Sequence, residues 1–334
     1  MSAVKRKIGS TKVHPVGLGC MSLSSVYGPS LSSKDAVDFL RTAMDVGYDL
    51  LDTATIYGMG GNEALVGEAL QGRRNGVLLA SKCVLGFKDG KRLLDASPGA
   101  IKRACDASLE RLKTDVIDLY YLHRPDPNVP IEDSVGAMAD LVAQGKIRMI
   151  GLSEMSADEI CRASAVHPIA AVQSEYSLMT RNPEIAVLDT CRELDITFIP
   201  FSPVGRGYLT DALLQPERFH EKDLRHTFPR FSEPYFTENL GLLDRLRDTA
   251  RDMGCSAAQL AIAWTLAQDK SAVAIPGTQN SKHLESNFQA ANIQLSAEIQ
   301  SSLSDAFAPV AIKGPRYSPK SQAMVTTECF AFEQ

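Results

Sequence analysis

Eight short apolar runs recur along the chain, at Val16–Cys20, Tyr48–Thr53, Val77–Lys82, Ile117–His123, Ile147–Ser153, Ala171–Glu175, Thr197–Ser202 and Ala272–Pro276, and longer amphipathic stretches separate them. Runs this short and apolar suit parallel strands covered on both faces. The intervening stretches carry helix signals. Ser33–Val46 begins with a serine cap and sets Val37, Leu40, Ala43 and Met44 on one face. Pro98–Leu112 follows Ser97, with proline at the first helical position. Ile131–Gln144 ends at Gly145, Asn239–Met253 ends at Gly254, and Ser256 caps Ala257–Gln268. Ala157–Val166 and Pro183–Glu193 fit the same pattern. Alternating strands and helices define an α/β fold, and eight strands is the number that closes a barrel. The expectation is one (β/α)8 (TIM) barrel domain over residues 1–334, with the barrel at about 8–306. A doubly wound open sheet is the structural alternative.

Two segments break the rhythm. Gly205–Glu238, after the seventh strand, is long and rich in Pro, Phe, Arg and His, and Pro309–Gln334 forms a tail. Long connections in a compact domain are often lids or binding loops, so the tail is expected over the barrel mouth, with disorder as the alternative. Composition narrows the partners. A net charge of -5 and a pI near 5.7 argue against a general nucleic-acid binder. No run approaches the roughly 18–20 apolar residues of a membrane span, and the basic N-terminus lacks a secretory apolar core. The cysteines, Cys20, Cys83, Cys105, Cys161, Cys191, Cys255 and Cys329, are odd in number and show no CxxC spacing. Free thiols in a reducing cytoplasm are the simplest reading. The six histidines show no HxH or HxxxH spacing, so no metal is expected.

Active sites of such barrels lie at the C-terminal strand ends. Asp52 ends the second strand, with Tyr57 in the following loop; Lys82 ends the third and His123 the fourth. Ser153 and Glu154 end the fifth, Gln173 and Glu175 stand on the sixth, and Ser202 ends the seventh. Ionisable groups at the ends of buried strands are costly unless paired. Asp52 and Lys82 can pair across adjacent strands, with Tyr57 and His123 converging on the same mouth. An ammonium beside a phenol favours the phenolate and lowers the tyrosine pKa from about 10. Such a tyrosine suits acid–base work, with histidine orienting a carbonyl oxygen.

At these residues the sequence resembles the aldo-keto reductase superfamily. The resemblance rests on LDTATIYG at 51–58, GNEALVGEAL at 61–70, LLASK ending at Lys82, IDLYYLH ending at His123, GKIRMIGLS ending at Ser153, AVQSEYS at 171–177, FIPFSPVGRG at 198–207 and IPGT at 275–278. The GLSE form looks most like the bacterial and plant subgroup of perakine reductase-like enzymes. The resemblance implies reversible NADPH-dependent reduction of a small aldehyde or ketone, with Tyr57 as general acid, Lys82 and Asp52 tuning it and His123 positioning the carbonyl. It implies that Ser153 and Gln173 bond the nicotinamide carboxamide and that Phe201, where many members have tyrosine, stacks on the ring. Asn often follows the serine in the family, and here Glu154 takes that place. Gly19, Met21 and Ile275 would be further cofactor contacts, and Ser202, Pro203, Val204, Gly205 and Gly207 would run under the pyrophosphate. Gly277, Thr278, Gln279, Lys282, His283 and Asn287 would surround the adenosine. The arginine and lysine that many members use on the 2′-phosphate are replaced by His283 and Gly277, so Lys282 would supply the charge, and NADH is a second candidate cofactor.

Substrate contacts are expected from Tyr27, Phe87 and Arg124, the last able either to bind a polar substrate or to brace its loop. The aromatics of the long loop (Phe228, Phe231, Tyr235, Phe236) and of the tail (Tyr317, Phe330, Phe332) line a pocket or pin loops to the barrel. Trp264 reads as core. Two other functions compete. One is a nucleotide-binding regulatory subunit with little turnover, resembling potassium-channel β-subunits. The other is an aldolase using Lys82 as a Schiff-base amine. The oligomeric state is open between monomer and homo-oligomer.

Overall fold

The computed structural model describes residues 3–88, 91–212 and 214–333. A hairpin of β1 (Arg6–Ile8) and β2 (Thr11–Val13) comes first, followed by β3 (Leu18–Gly19), β4 (Leu50–Asp52) and β5 (Leu78–Cys83). A second hairpin, β6 (Leu85–Lys88) and β7 (Lys91–Leu94), precedes β8 (Ile117–Leu122), β9 (Ile147–Ser153), β10 (Ile169–Glu175) and β11 (Thr197–Phe201). One parallel sheet runs in the order β11-β10-β9-β8-β5-β4-β3. The eighth apolar run closes it. Val16 bridges Ala274 and Phe201 bridges Ile275, with Gly17 donating to the Ala274 carbonyl at 2.8 Å and Ile275 to that of Pro200 at 3.1 Å. The run forms bridges rather than a full ladder strand, because Pro200 and Pro276 have no N–H to extend the pairing. The result is the expected α/β barrel.

The helices are α1 (Ser33–Val46), α2 (Gly61–Ala69), α3 (Pro98–Leu112), α4 (Ile131–Ala143), α5 (Ala157–Val166), α6 (Val187–Glu193), α7 (Tyr235–Asp252), α8 (Ala257–Gln268), α9 (Ser281–Gln289), α10 (Ala297–Ala306) and the short α11 (Pro319–Gln322). Ser156 and Ser256 each form a full capping box, with Glu159 and Gln259. Ser97 stands at the N-cap of α3 without a side-chain cap bond. Two boundaries differ from the sequence reading. The stretch expected from Pro183 opens with a 3-10 turn before α6. Helix α7 starts at Tyr235 rather than Asn239, so Tyr235 and Phe236 belong to a helix and not to the long loop.

Side chains of a strand alternate between faces, and the barrel makes that alternation three-dimensional. Leu50, Leu78, Leu119, Ala171, Ile199 and Val273 form one inner cluster, closed from below by Ile8 and Val13 of the N-terminal hairpin. Two residues further along the same strands, and so on the same inner face, come Asp52, Tyr121, Gln173 and Phe201, with Lys82 two beyond Ala80. The other parity, including Leu51, Leu79, Tyr120, Leu122 and Val172, packs against the helices. An apolar plug thus supports a polar upper layer. The Tyr121 ring fills the barrel beside Gly151, where an added Cβ would collide with it. Gly151→Ala should therefore lower the unfolding free energy by about 1–3 kcal/mol, the usual cost of overpacking, measurable by denaturant titration. An unchanged midpoint would show that Tyr121 has room to move.

Candidate active site

The strand register assembles the polar layer. Strands β4, β5 and β8 are neighbours, and Lys82 stands level with Tyr121, two residues before His123. The Lys82 ammonium donates to an Asp52 carboxylate oxygen, to the Thr53 carbonyl at 2.9 Å and to the Tyr57 hydroxyl at 3.4 Å. The other Asp52 oxygen accepts from the Gln173 amide at 2.8 Å. The rings of Tyr57 and His123 meet edge to face, with centroids 5.9 Å apart. All four residues expected at the mouth therefore converge. Lys82 has no exposed side-chain surface and Asp52 only 4 %.

The electrostatics differ in one respect from the sequence reading. Burial, the largest influence, pushes the Tyr57 phenol up; Lys82 and Arg124 pull it down, Asp52 pushes it up, and the net direction is upward. The expected lowering by the ammonium is present but smaller than the cost of placing a phenolate in a desolvated site. Lys82 moves the same way: burial opposes its charge, and Asp52 and Tyr57 more than restore it. The site therefore holds a protonated phenol beside an ammonium.

A cavity of about 610 Å³ opens at this cluster. Its lining includes Asp52, Tyr57, His123, Ser153, Gln173, Gly19, Met21 and Phe201, the turn residues Ser202, Pro203, Val204, Arg206 and Gly207, and Ile275, Gly277, Thr278, His283 and Asn287. Tyr27 and Arg124 stand at its wall. Several expected residues lie elsewhere. Gly205 is buried behind the turn, facing Leu209 and Met179, and its N–H is used by the Ser202 carbonyl. Gln279 braces the segment after β3, donating to the Ser22 carbonyl at 2.6 Å and accepting from Leu31 N–H at 3.1 Å. Lys282 is exposed on α9 and does not line the cavity. Phe87 sits on the β6–β7 hairpin, 47 % exposed, away from the cavity. Among the described residues no group of three His, Cys, Asp or Glu side chains is placed to hold a metal.

The cavity also has walls that the sequence reading left undecided or missed. Of the loop and tail aromatics, Phe228 and Tyr317 line it, whereas Phe231 and Phe236 pack on Tyr208 and Phe330 stacks on Phe332. Ser321, Met324 and Val325 of the tail complete the wall. Glu154 holds this tail rather than facing the cavity. Arg316 donates to it at 2.7 and 3.3 Å and Thr327 at 2.9 Å, and Thr326 N–H bonds its carbonyl at 3.0 Å. Glu175 on the adjacent strand accepts from Tyr317 and from Arg206, both at 2.8 Å. Arg206 was the clearest omission: a lone arginine between two turn glycines carries no periodic signal, and only the fold sets it over Phe228 at 4.2 Å.

The model of the aldo/keto reductase family matches residues 15–306. An aldo-keto reductase of Schizosaccharomyces pombe, yakc, named for NADP(+), is 41% identical over 329 residues, covering 96% of each chain. Aldo-keto reductase str7 of Strobilurus tenacellus is 41% identical over 303 residues, 88% of each. A glycerol dehydrogenase from Gluconobacter oxydans superposes with a TM-score of 0.84 at 27% identity, over 95% of this chain and 98% of that one. An aldo/keto reductase from Klebsiella pneumoniae, in complex with NADP and acetate, superposes with a TM-score of 0.72 at 27% identity, over 95% and 99%. The chain belongs to the aldo/keto reductase family and is an oxidoreductase.

Two predictions concern the tail. Removing one partner of a buried pair leaves the other charge uncompensated, at a cost of about 3–5 kcal/mol. Arg316→Ala should therefore undock residues 309–333 and speed their cleavage in limited proteolysis; an unchanged cleavage rate would show that the pair does not hold the tail. The second follows from Glu175. Burial alone would raise its pKa, but Arg206, Arg316 and the Tyr317 hydroxyl outweigh burial and hold it below the ordinary glutamate value. A depressed carboxyl contributes its stability above the unfolded value of about 4.3 and loses it as pH falls through the native value. Wild-type denaturation midpoints should therefore fall more between pH 6 and pH 3 than those of Glu175→Gln; parallel curves would count against the assignment.

Proposed function

We propose that the protein reduces an aldehyde or ketone to an alcohol with NADPH, reversibly, with Tyr57 as the general acid. The observation that carries this reading is the Tyr57 hydroxyl, 3.4 Å from the Lys82 ammonium in the wall of a cavity of about 610 Å³ whose lining also includes Phe201 and Asn287. The residues present fit the cofactor. Phe201 offers a ring face, and Ser153 and Gln173 stand level in register with both donor and acceptor capacity for a carboxamide. Between Ser202 and Gly207, left-handed backbone at Ser202, Arg206 and Gly207 turns the chain along the cavity side. There it can approach phosphates closely. Gly277 and Gly19, both lining the cavity, pack backbone to backbone, since a Cβ on Gly277 would fall 2.9 Å from the Gly19 carbonyl. NADPH, when bound, supplies the hydride. NADP relatives support it over NADH, and His283 with Asn287 would meet a 2′-phosphate in place of the more basic pair of many members. The GLSE strand end, Gly151–Glu154, supports the perakine reductase-like subgroup.

In this reading His123 orients the carbonyl oxygen toward Tyr57, Tyr57 gives it a proton, and Lys82, held by Asp52, stabilises the phenolate left behind. A phenol whose pKa is raised keeps its proton through neutral pH, which is the form reduction requires. Reduction should thus be flat through neutrality and fall only above pH 10, whereas alcohol oxidation should rise with pH. Tyr57→Phe keeps the ring and removes the proton donor. It should lower kcat about 10²–10⁴-fold while NADPH still binds, read by fluorescence titration and nicotinamide absorbance. Turnover that survives Tyr57→Phe would reject Tyr57 as the acid.

A further inference from the structure

Three guanidinium groups line the cavity: Arg124, Arg206 and Arg225. Two are neutralised. Arg206 pairs with Glu175 at 2.8 Å and Arg225 with Asp223 at 2.7 Å. Arg124 differs. Its Nη1 donates to the His123 carbonyl at 2.6 Å and to the Ser153 hydroxyl at 3.3 Å, and among the described residues no carboxylate pairs with it. These two bonds fix the guanidinium at the mouth and leave Nε and Nη2 without a protein acceptor among the described residues. The group directly follows His123 in the chain, and its charge is felt at the Tyr57 phenol. It also lines a second cavity of about 410 Å³, bounded by Pro125–Ile131 and Met155, so open space lies on both of its sides.

A half-buried, fixed cation next to His123, in a cavity with aromatic walls at Tyr27, Phe228 and Tyr317, offers an anion a charged hydrogen-bond partner in a setting less polar than bulk water. Building on the reductase reading, we propose that Arg124 determines specificity by selecting carbonyl substrates that carry a carboxylate near the reacting carbon. The planar fork of arginine matches a carboxylate, and charge-assisted bonds of this kind are about twice as strong as neutral ones. One unpaired cation suits a monoanion. A phosphate dianion would need a second charge, which Arg206 and Arg225 have already given to Glu175 and Asp223.

The test compares 3- and 4-carboxybenzaldehyde with the corresponding formylbenzamides, which have the same shape and no charge. For wild type, kcat/KM on at least one carboxylate should exceed that on its amide by tenfold or more, carried by KM, and the preference should shrink in high salt. Arg124→Gln should abolish the preference, and Arg124→Lys, which keeps the charge without the fork, should restore part of it. Turnover of the amides by wild type as fast as the carboxylates, or a preference that survives in Arg124→Gln, would overturn the assignment while leaving the reductase reading standing. No turnover of any aldehyde by wild type would overturn both.

Discussion

The Lys82–Asp52 pair is the interaction on which the rest of the mouth depends. A lysine with no solvent exposure loses several kcal/mol of hydration, and a counter-charge with further hydrogen bonds is what restores the balance. Asp52 supplies the charge, the Thr53 carbonyl a second acceptor, and Gln173 occupies the remaining Asp52 oxygen. These partners come from β4, β5 and β10, so the pair exists only if the barrel has closed with its strands in register. The plug of Leu50, Leu78, Leu119 and Ile199 beneath excludes water from the inner face and keeps the pair desolvated. Tyr57 then meets an ammonium that cannot relax toward solvent.

The same physics appears a second time, one layer outward. Glu154 and Glu175 end adjacent strands and would be isolated buried anions by themselves. Arg316 satisfies one and Arg206 with Tyr317 the other. Because Arg316 and Tyr317 belong to the tail, satisfying the barrel's own carboxylates docks the segment that walls the cavity. Glu175 is shared between Arg206, in the turn along the cavity side, and Tyr317, in the tail. The two walls therefore meet at one carboxylate. A substrate between them would contact a surface whose position is set by ion pairs rather than by loop packing alone.

Periodicity and capping carried the architecture well. Helices α1, α3, α5 and α8 have the limits expected, because serine caps and Pro98 are local start signals, although the cap of α1 is Ser32 rather than the serine at the head of the expected stretch. The N-terminal hairpin was missed: Arg6–Ile8 and Thr11–Val13 are too short for a pattern, and their burial depends on the open lower end of the barrel. The start of α7 was missed because Tyr235 and Phe236 read as loop aromatics until the helix packs Phe236 against Tyr208. Phe87 was misplaced because an aromatic after a strand end points to the mouth only if the chain stays there, and here it leaves in a hairpin.

What the sequence determined by itself was the inventory and its spacing: eight short apolar runs, and Asp52, Lys82, His123 and Gln173 at or near their C-terminal ends. Parallel strands side by side in a closed barrel bring such positions to one rim, so the central cluster was legible without coordinates. The tertiary structure decided everything that rests on contacts between distant segments. It made Glu154 an anchor for Arg316, set Gly205, Gln279 and Lys282 outside the cavity lining, and drew Arg206 into it. It also left Arg124 without a carboxylate partner among the described residues. The physical reason is range: hydrophobic period and capping act over a few residues, whereas ion pairing and desolvation depend on which distant side chain arrives at the same place.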